Sequence, residues 1–195
     1  MSPRGVAIPD VRERLFAAAE RVVTRDGPGA LTSRAVTSEA GVAKGALHAH
    51  FSGLDEFIGE LVLDRFASTA RQADQLPSLV GQDTVKANLV TVTAALLTSV
   101  NPAMVTLAMT RPAAALHTRQ GLEAGAPAFS AIQDSVTGYL DAESRLGRIP
   151  SGTDTATAAL ALVGTVHHLL MTSGPSGLPE PLQTAERLVT LLVAT

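Results

Sequence analysis

Cysteine and tryptophan are absent from this 195-residue chain, and aromatic residues make up only 3% of it. Without cysteine there can be no disulfide and no thiolate metal ligand, which suits a reducing compartment. Four of the five phenylalanines (Phe16, Phe51, Phe57, Phe66) fall in the first 66 residues. The later core must therefore be built from Leu, Val, Ala and Met, a composition that suits helices better than sheets. No stretch of useful length alternates apolar and polar residues, and no internal repeat is visible, so the chain reads as all-α. A basic surplus is lacking too. The net charge of −3 would argue against a nucleic-acid partner if only the sum mattered. Its distribution matters more. Residues 1–50 carry seven cations (Arg4, Arg12, Arg14, Arg21, Arg25, Arg34, Lys44) against five acids (Asp10, Glu13, Glu20, Asp26, Glu39), and the acidic excess lies in residues 51–195.

Other absences narrow the function. Two long uncharged runs, Ala87 to Thr110 and Thr155 to Pro179, are interrupted by Asn101-Pro102 and by His167 and His168, so buried core helices are expected rather than membrane spans. No signal peptide is visible, and a cytoplasmic location is expected. The Gly-Pro-Ser-Gly run at 174–177 lacks nucleophile-elbow spacing. The histidine pairs His167/His168 and His48/His50 do not share a helix face. Neither an enzyme, a metal site nor a cofactor is expected.

What is present begins with Pro9-Asp10, a D-x-x-E capping pair with Glu13, and helical spacing through Leu15, Phe16, Ala19, Val22 and Val23 to about Asp26. Gly27-Pro28-Gly29 ends that helix. A second helix is predicted from Thr32, a suitable N-cap, to about Ala40. Gly41 supplies a left-handed residue, and a third helix is predicted over Ala43 to about His50. That short helix would present Lys44, Gly45, Ala46, His48 and His50 outward, a helix-turn-helix reader of a DNA groove. A longer helix over 53–74 follows, and Pro77 to Gln82 is a connector. Further helices are predicted at roughly 84–100, 102–110, 112–120, 126–146, 154–172 and 181–194, with Glu180 a plausible cap for the last.

From Val11 to Phe57 the chain resembles the N-terminal domain of the TetR (tetracycline-repressor-like) transcriptional regulators. The shared features are the amphipathic first helix ending at Asp26-Gly27, the Thr-initiated second helix and Ala40-Gly41-Val42. Lys44-Gly45-x-Leu47-x-x-His50-Phe51 and Asp55-Glu56-Phe57 complete the pattern. The resemblance implies an N-terminal helix-turn-helix domain (1–52), a helix leading into both domains (53–74) and a helical ligand-binding and dimerisation domain (75–195). It implies DNA contact by Ser33, Arg34, Lys44, Gly45, Ala46, His48, Ala49 and His50. It also implies a homodimer that binds a palindromic operator and is released by a small apolar effector, most simply as a repressor. The chain departs from most relatives at Ala43, where a capping Ser or Thr is usual, at His48 for Tyr and at Leu54 for Lys. A lost cap costs about 1 kcal/mol, and fewer phosphate contacts flatten salt dependence. A helical ligand-binding protein with weak or lost operator recognition is therefore the alternative.

In the second domain, Ala156, Ala159, Leu160, Val163, Gly164 and His167 form a small-residue stripe. With Leu188, Leu191 and Leu192 of the last helix it resembles a two-fold four-helix dimer interface. Ligand contacts are expected from Asn101, Met104, His117, Phe129, Gln133, His167 and Met171, polar or adaptable groups on otherwise apolar helices.

Overall fold

The computed structural model describes residues 11–173 and 180–193. Asp10, Arg4 and the Gly-Pro-Ser-Gly run at 174–177 lie outside them. Ten α-helices and no strand occur among the described residues: α1 (Val11–Asp26), α2 (Ser33–Glu39), α3 (Ala46–His50), α4 (Leu54–Ala73), α5 (Val85–Thr98), α6 (Pro102–Thr110), α7 (Pro112–Glu123), α8 (Phe129–Arg145), α9 (Thr155–Thr172) and α10 (Pro181–Val193). The all-α expectation holds. The helix starts show why: Thr32, Thr84 and Asp154 each accept a backbone N–H three residues on, from Ala35, Ala87 and Thr157. Asn101 caps α6 by accepting from Ala103 N at 2.9 Å.

Two helices begin later than the sequence pattern predicts. The reading helix starts at Ala46, not Ala43, and has only five residues. No side chain caps it, so Lys44 and Gly45 remain in a turn closed by Ala46 N donating to Ala43 O at 2.9 Å. α8 starts at Phe129 rather than 126, because Pro127 disfavours a helical residue before it. α7 runs on to Glu123 and stops ahead of Gly125, whose φ of 96° only glycine adopts comfortably.

The apolar residues form two clusters that meet along α4. The first joins α1, α2, α3 and the N-terminal part of α4 to α6 and to Ala114 of α7. The second joins the C-terminal end of α4 to α5, α8, α9 and α10. Met104 and Val105 thus lie beyond residue 75 in the chain yet pack with the helix-turn-helix. α4 and α7 cross in the same direction at very close range. A Cβ on Gly59 would lie 2.9 Å from His117 Cδ2 and 3.2 Å from Ala114 O, and one on Gly121 would lie 2.3 Å from Leu63 Cδ1. At Gly59 the obstacle includes the Ala114 carbonyl, so glycine admits the α7 backbone there, whereas at Gly121 it admits the Leu63 side chain.

α9 is the one described helix long and apolar enough, by length and composition, to cross a membrane, with a mean hydropathy of 1.3. It packs on α8, α5, α6 and α10.

Candidate nucleic-acid interface

The helix-turn-helix is assembled around three phenylalanines. Phe16 of α1, Phe51 just after α3 and Phe57 of α4 have ring centroids 5.1–5.8 Å apart, and Phe51 meets Phe57 edge-on at 81°. Leu47, the inward residue of α3, is fully buried. The turn is built from Gly41 at φ 64° and from Val42 N donating to Thr37 O at 3.0 Å. Arg14 of α1 closes it by donating to Ala40 O at 2.6 Å, a clamp that sequence pattern did not reveal.

Arg34, Lys44, His48, Ala49 and His50 are exposed, as is Gly45, while Ser33 and Ala46 are half-buried on the same outer side. The side chains of Arg34, Lys44 and His48 are tied to no other described residue, whereas the remaining described cations of α1 are engaged. Arg12 pairs with Glu60, Arg21 with Glu39, and Arg25 with Asp26 and Glu39. Among the described residues, the cations of the first fifty therefore divide between internal partners and a small free set on α2 and α3 and in the turn before α3. Hydrogen bonds from Arg21 and Arg25 hold the Glu39 carboxyl below the usual range.

α4 is bound to α1 by Arg65, whose guanidinium donates to both oxygens of Glu13 (2.9 Å each) and of Glu20 (3.0 Å each). Burial works against that charge, but the paired carboxylates outweigh it and raise the Arg65 pKa. Ser52 donates both its N–H, at 3.1 Å, and its hydroxyl to Glu56 in the first turn of α4. Burial works to raise the Glu60 carboxyl, but hydrogen bonds from His117 and Arg12 hold it below the usual range. A carboxylate lowered on folding contributes stability above its unfolded value and loses it as pH falls through the folded one. Acidification from about pH 5 downward should therefore lower the melting temperature, and Glu60→Gln should lessen that dependence. Melting curves at stepped pH measure it.

The residues nominated for ligand contact divide into two groups. Phe129 stacks edge-on with Phe66 (5.4 Å) and with His167 (4.6 Å), and Phe129 and Met171 touch both clusters. Met104 is fully buried in the first cluster, and Gln133 is half-buried on α8. Asn101 and His117 lie elsewhere: Asn101 donates to Thr24 of α1 at 3.0 Å, and His117 Nε2 lies 2.7 Å from Glu60 Oε1. None of the seven lines the cavity of about 190 Å³ among Leu97, Thr98, Pro102, Leu169, Leu170 and Pro181. Of the residues nominated for a dimer contact, Ala156, Leu160, Gly164 and Leu191 are exposed and Leu188 and Leu192 half-buried. Ala159 and Val163 face inward and have almost no surface to offer a second chain. No group of metal-ligating side chains occurs among the described residues.

Residues 15–61 match the bacterial regulatory proteins of the tetR family. The N-terminal unit is a TetR-family helix-turn-helix domain. The TetR-type fold extends over the remainder of the chain. A TetR-family regulator structure from Mesorhizobium loti superposes with a TM-score of 0.67 at 16% identity, covering 97% of this chain and 98% of that one. SmeT, the repressor of the Stenotrophomonas maltophilia multidrug efflux pump SmeDEF, superposes with a TM-score of 0.60 at 19% identity, over 94% and 89%. The regulator FadR of Bacillus subtilis, in complex with stearoyl-CoA, gives 0.60 at 15% identity, over 93% and 97%. No curated protein matches by sequence. A tetR-family helix-turn-helix is thus joined to a helical domain that superposes on these regulator structures.

Proposed function

We propose that the protein is a ligand-responsive transcriptional repressor that binds a palindromic operator as a homodimer and is released by a small, mainly apolar effector. The exposed, unengaged Arg34, Lys44 and His48 on the outer side of a TetR-family helix-turn-helix carry this reading. Lys44 can donate to guanine or phosphate, and His48 and His50 to phosphate. Ser33, Gly45, Ala46 and Ala49 permit close approach. The reading domain comprises residues 1–52, with α4 shared and residues 75–195 forming the effector and dimer domain. The second copy packs against the exposed side of α9, a helix only 28% of which is buried within one chain, and against Leu188, Leu191 and Leu192 of α10. Leu160 and Leu191, 56% and 81% exposed, are the side chains with most to gain. Two-fold pairing would place the reading helices in successive major grooves, roughly 34–36 Å apart. The effector contacts are Met104, Phe129, Gln133, His167 and Met171. FadR bound to stearoyl-CoA, an apolar acyl chain on a charged carrier, supports an effector with a large apolar part. Action on DNA places the protein in the cytoplasm.

Selection of bound duplexes from a random pool tests the reading, and no enriched palindrome at low salt would end it. Against the selected sequence, Lys44→Ala should weaken binding by about 1–3 kcal/mol if it reads a base. If Lys44 holds a phosphate, the salt slope should instead fall by about one. Titration across salt concentrations separates the two.

The five-residue, uncapped α3 favours one second reading, a ligand-binding protein with weak operator recognition. Effector binding retained without any enriched DNA sequence would select it.

A further inference from the structure

Glu60 is shared between two parts of the molecule. Its Oε1 lies 2.7 Å from His117 Nε2 on α7, and its Oε2 accepts from Arg12 Nη2 on α1 at 2.5 Å. An ionised carboxylate only accepts, so the His117 nitrogen carries the proton. Arg12 in turn lies over the Phe51 ring, 4.9 Å from its centroid. Phe51 is the residue at which the reading helix ends, its N–H bonded to Leu47 O at 2.9 Å. These contacts form a continuous chain from the second domain to the reader: His117, Glu60, Arg12, Phe51. The seat for the imidazole is Gly59, where any side chain would strike the ring. Five residues earlier on α4, Asp55 pairs with Arg111 at the start of α7, so α7 grips α4 at two levels.

We propose that His117 is a positioning residue for DNA recognition, holding the end of the reading helix through Glu60 and Arg12, and that displacement of α7 reaches the operator contacts by this route. The inference rests on the DNA-binding reading above. His117 touches neither α3 nor the outer side that carries Lys44. Its influence passes through a carboxylate that can satisfy both partners only while α7 and α1 keep their spacing. A side chain that places a donor where Nε2 lies preserves the link, and a shorter one breaks it. Glutamine meets that condition at position 117, and asparagine does not.

The test uses the full chain and the duplex selected above. His117→Asn should lower affinity roughly tenfold, and His117→Gln should stay within about twofold of the parent protein. In an Arg12→Ala background, His117→Asn should cost little more, because the route is already cut. Equal affinities for the Gln and Asn variants, or an undiminished loss in the Arg12→Ala background, would overturn the proposal, since simple packing damage adds independently. If the parent protein enriches no sequence, the DNA-binding reading fails separately. The link is then read without DNA, by hydrogen exchange over residues 44–51. Faster exchange in His117→Asn than in His117→Gln supports the link, and equal exchange overturns it.

Discussion

Phe57→Ala should cost about 3–5 kcal/mol of folding stability, a large part of what a domain of this kind possesses. Phe57 is fully buried and is the ring through which α4 meets both Phe16 and Phe51. Its removal takes away the transfer free energy of a whole ring and leaves a cavity. That cavity collapses only in part, because Arg65 with Glu13 and Glu20 holds α1 to α4. It also removes the edge-on contact that fixes Phe51, so operator binding should vanish before global unfolding is complete. Phe57→Leu retains most of the volume and should cost under about 1.5 kcal/mol. Urea unfolding followed by helical circular dichroism, with DNA binding measured in parallel, distinguishes the two. An alanine variant as stable as the parent protein would mean that the three-ring cluster is not the core of the reading domain.

Glu143→Ala should destabilise the second domain by about 3 kcal/mol. Glu143 is completely buried on α8, where Oε1 accepts from Gly81 N at 3.0 Å and Oε2 lies 3.3 Å from Arg148 Nε. Beside it, Tyr139 accepts from Asn88 at 3.0 Å, and Asn88 also donates to Gln82 O at 2.9 Å. Burial, more than the neighbouring Glu143 charge, pushes the Tyr139 hydroxyl up to about 12, so it stays protonated. The network fastens the 79–84 connector, which turns at Gly81 (φ 75°), onto α8. Alanine would leave the Gly81 N–H without its acceptor and the half-buried Arg148 without its counter-charge. Glutamine keeps the acceptor and should cost roughly half as much. Thermal unfolding ranks the variants, and limited proteolysis in the 79–84 connector reports the local release. Cleavage and melting unchanged in both would show that the buried carboxylate contributes nothing.

The reading domain was legible from its residues because its signals are local. Thr32 lies three residues before the N–H it caps, Gly41 occupies a backbone region that favours glycine, and Leu15, Phe16, Ala19, Val22 and Val23 fall at helical intervals. The start of α3 was less legible. With Ala43 and Gly45 lacking a side-chain acceptor, nothing local favoured a helix three residues earlier, and the backbone kept a turn. Charge was the least legible property. Counting cations could not reveal that Arg12, Arg14, Arg21 and Arg25 are used within the fold, because their partners lie 14 to 48 residues away.

From the sequence alone came the helical class, the position of the helix-turn-helix and the outward placing of Lys44, Gly45, His48 and His50. Each depends on neighbours within a turn or two of the same helix. Tertiary structure decided that His117 binds Glu60, that Ala159 and Val163 face inward and Leu160 outward, and that Gly59 admits a second backbone and Gly121 the Leu63 side chain. Those outcomes depend on how helices cross, and a helix's own periodicity does not specify which neighbour its faces will meet.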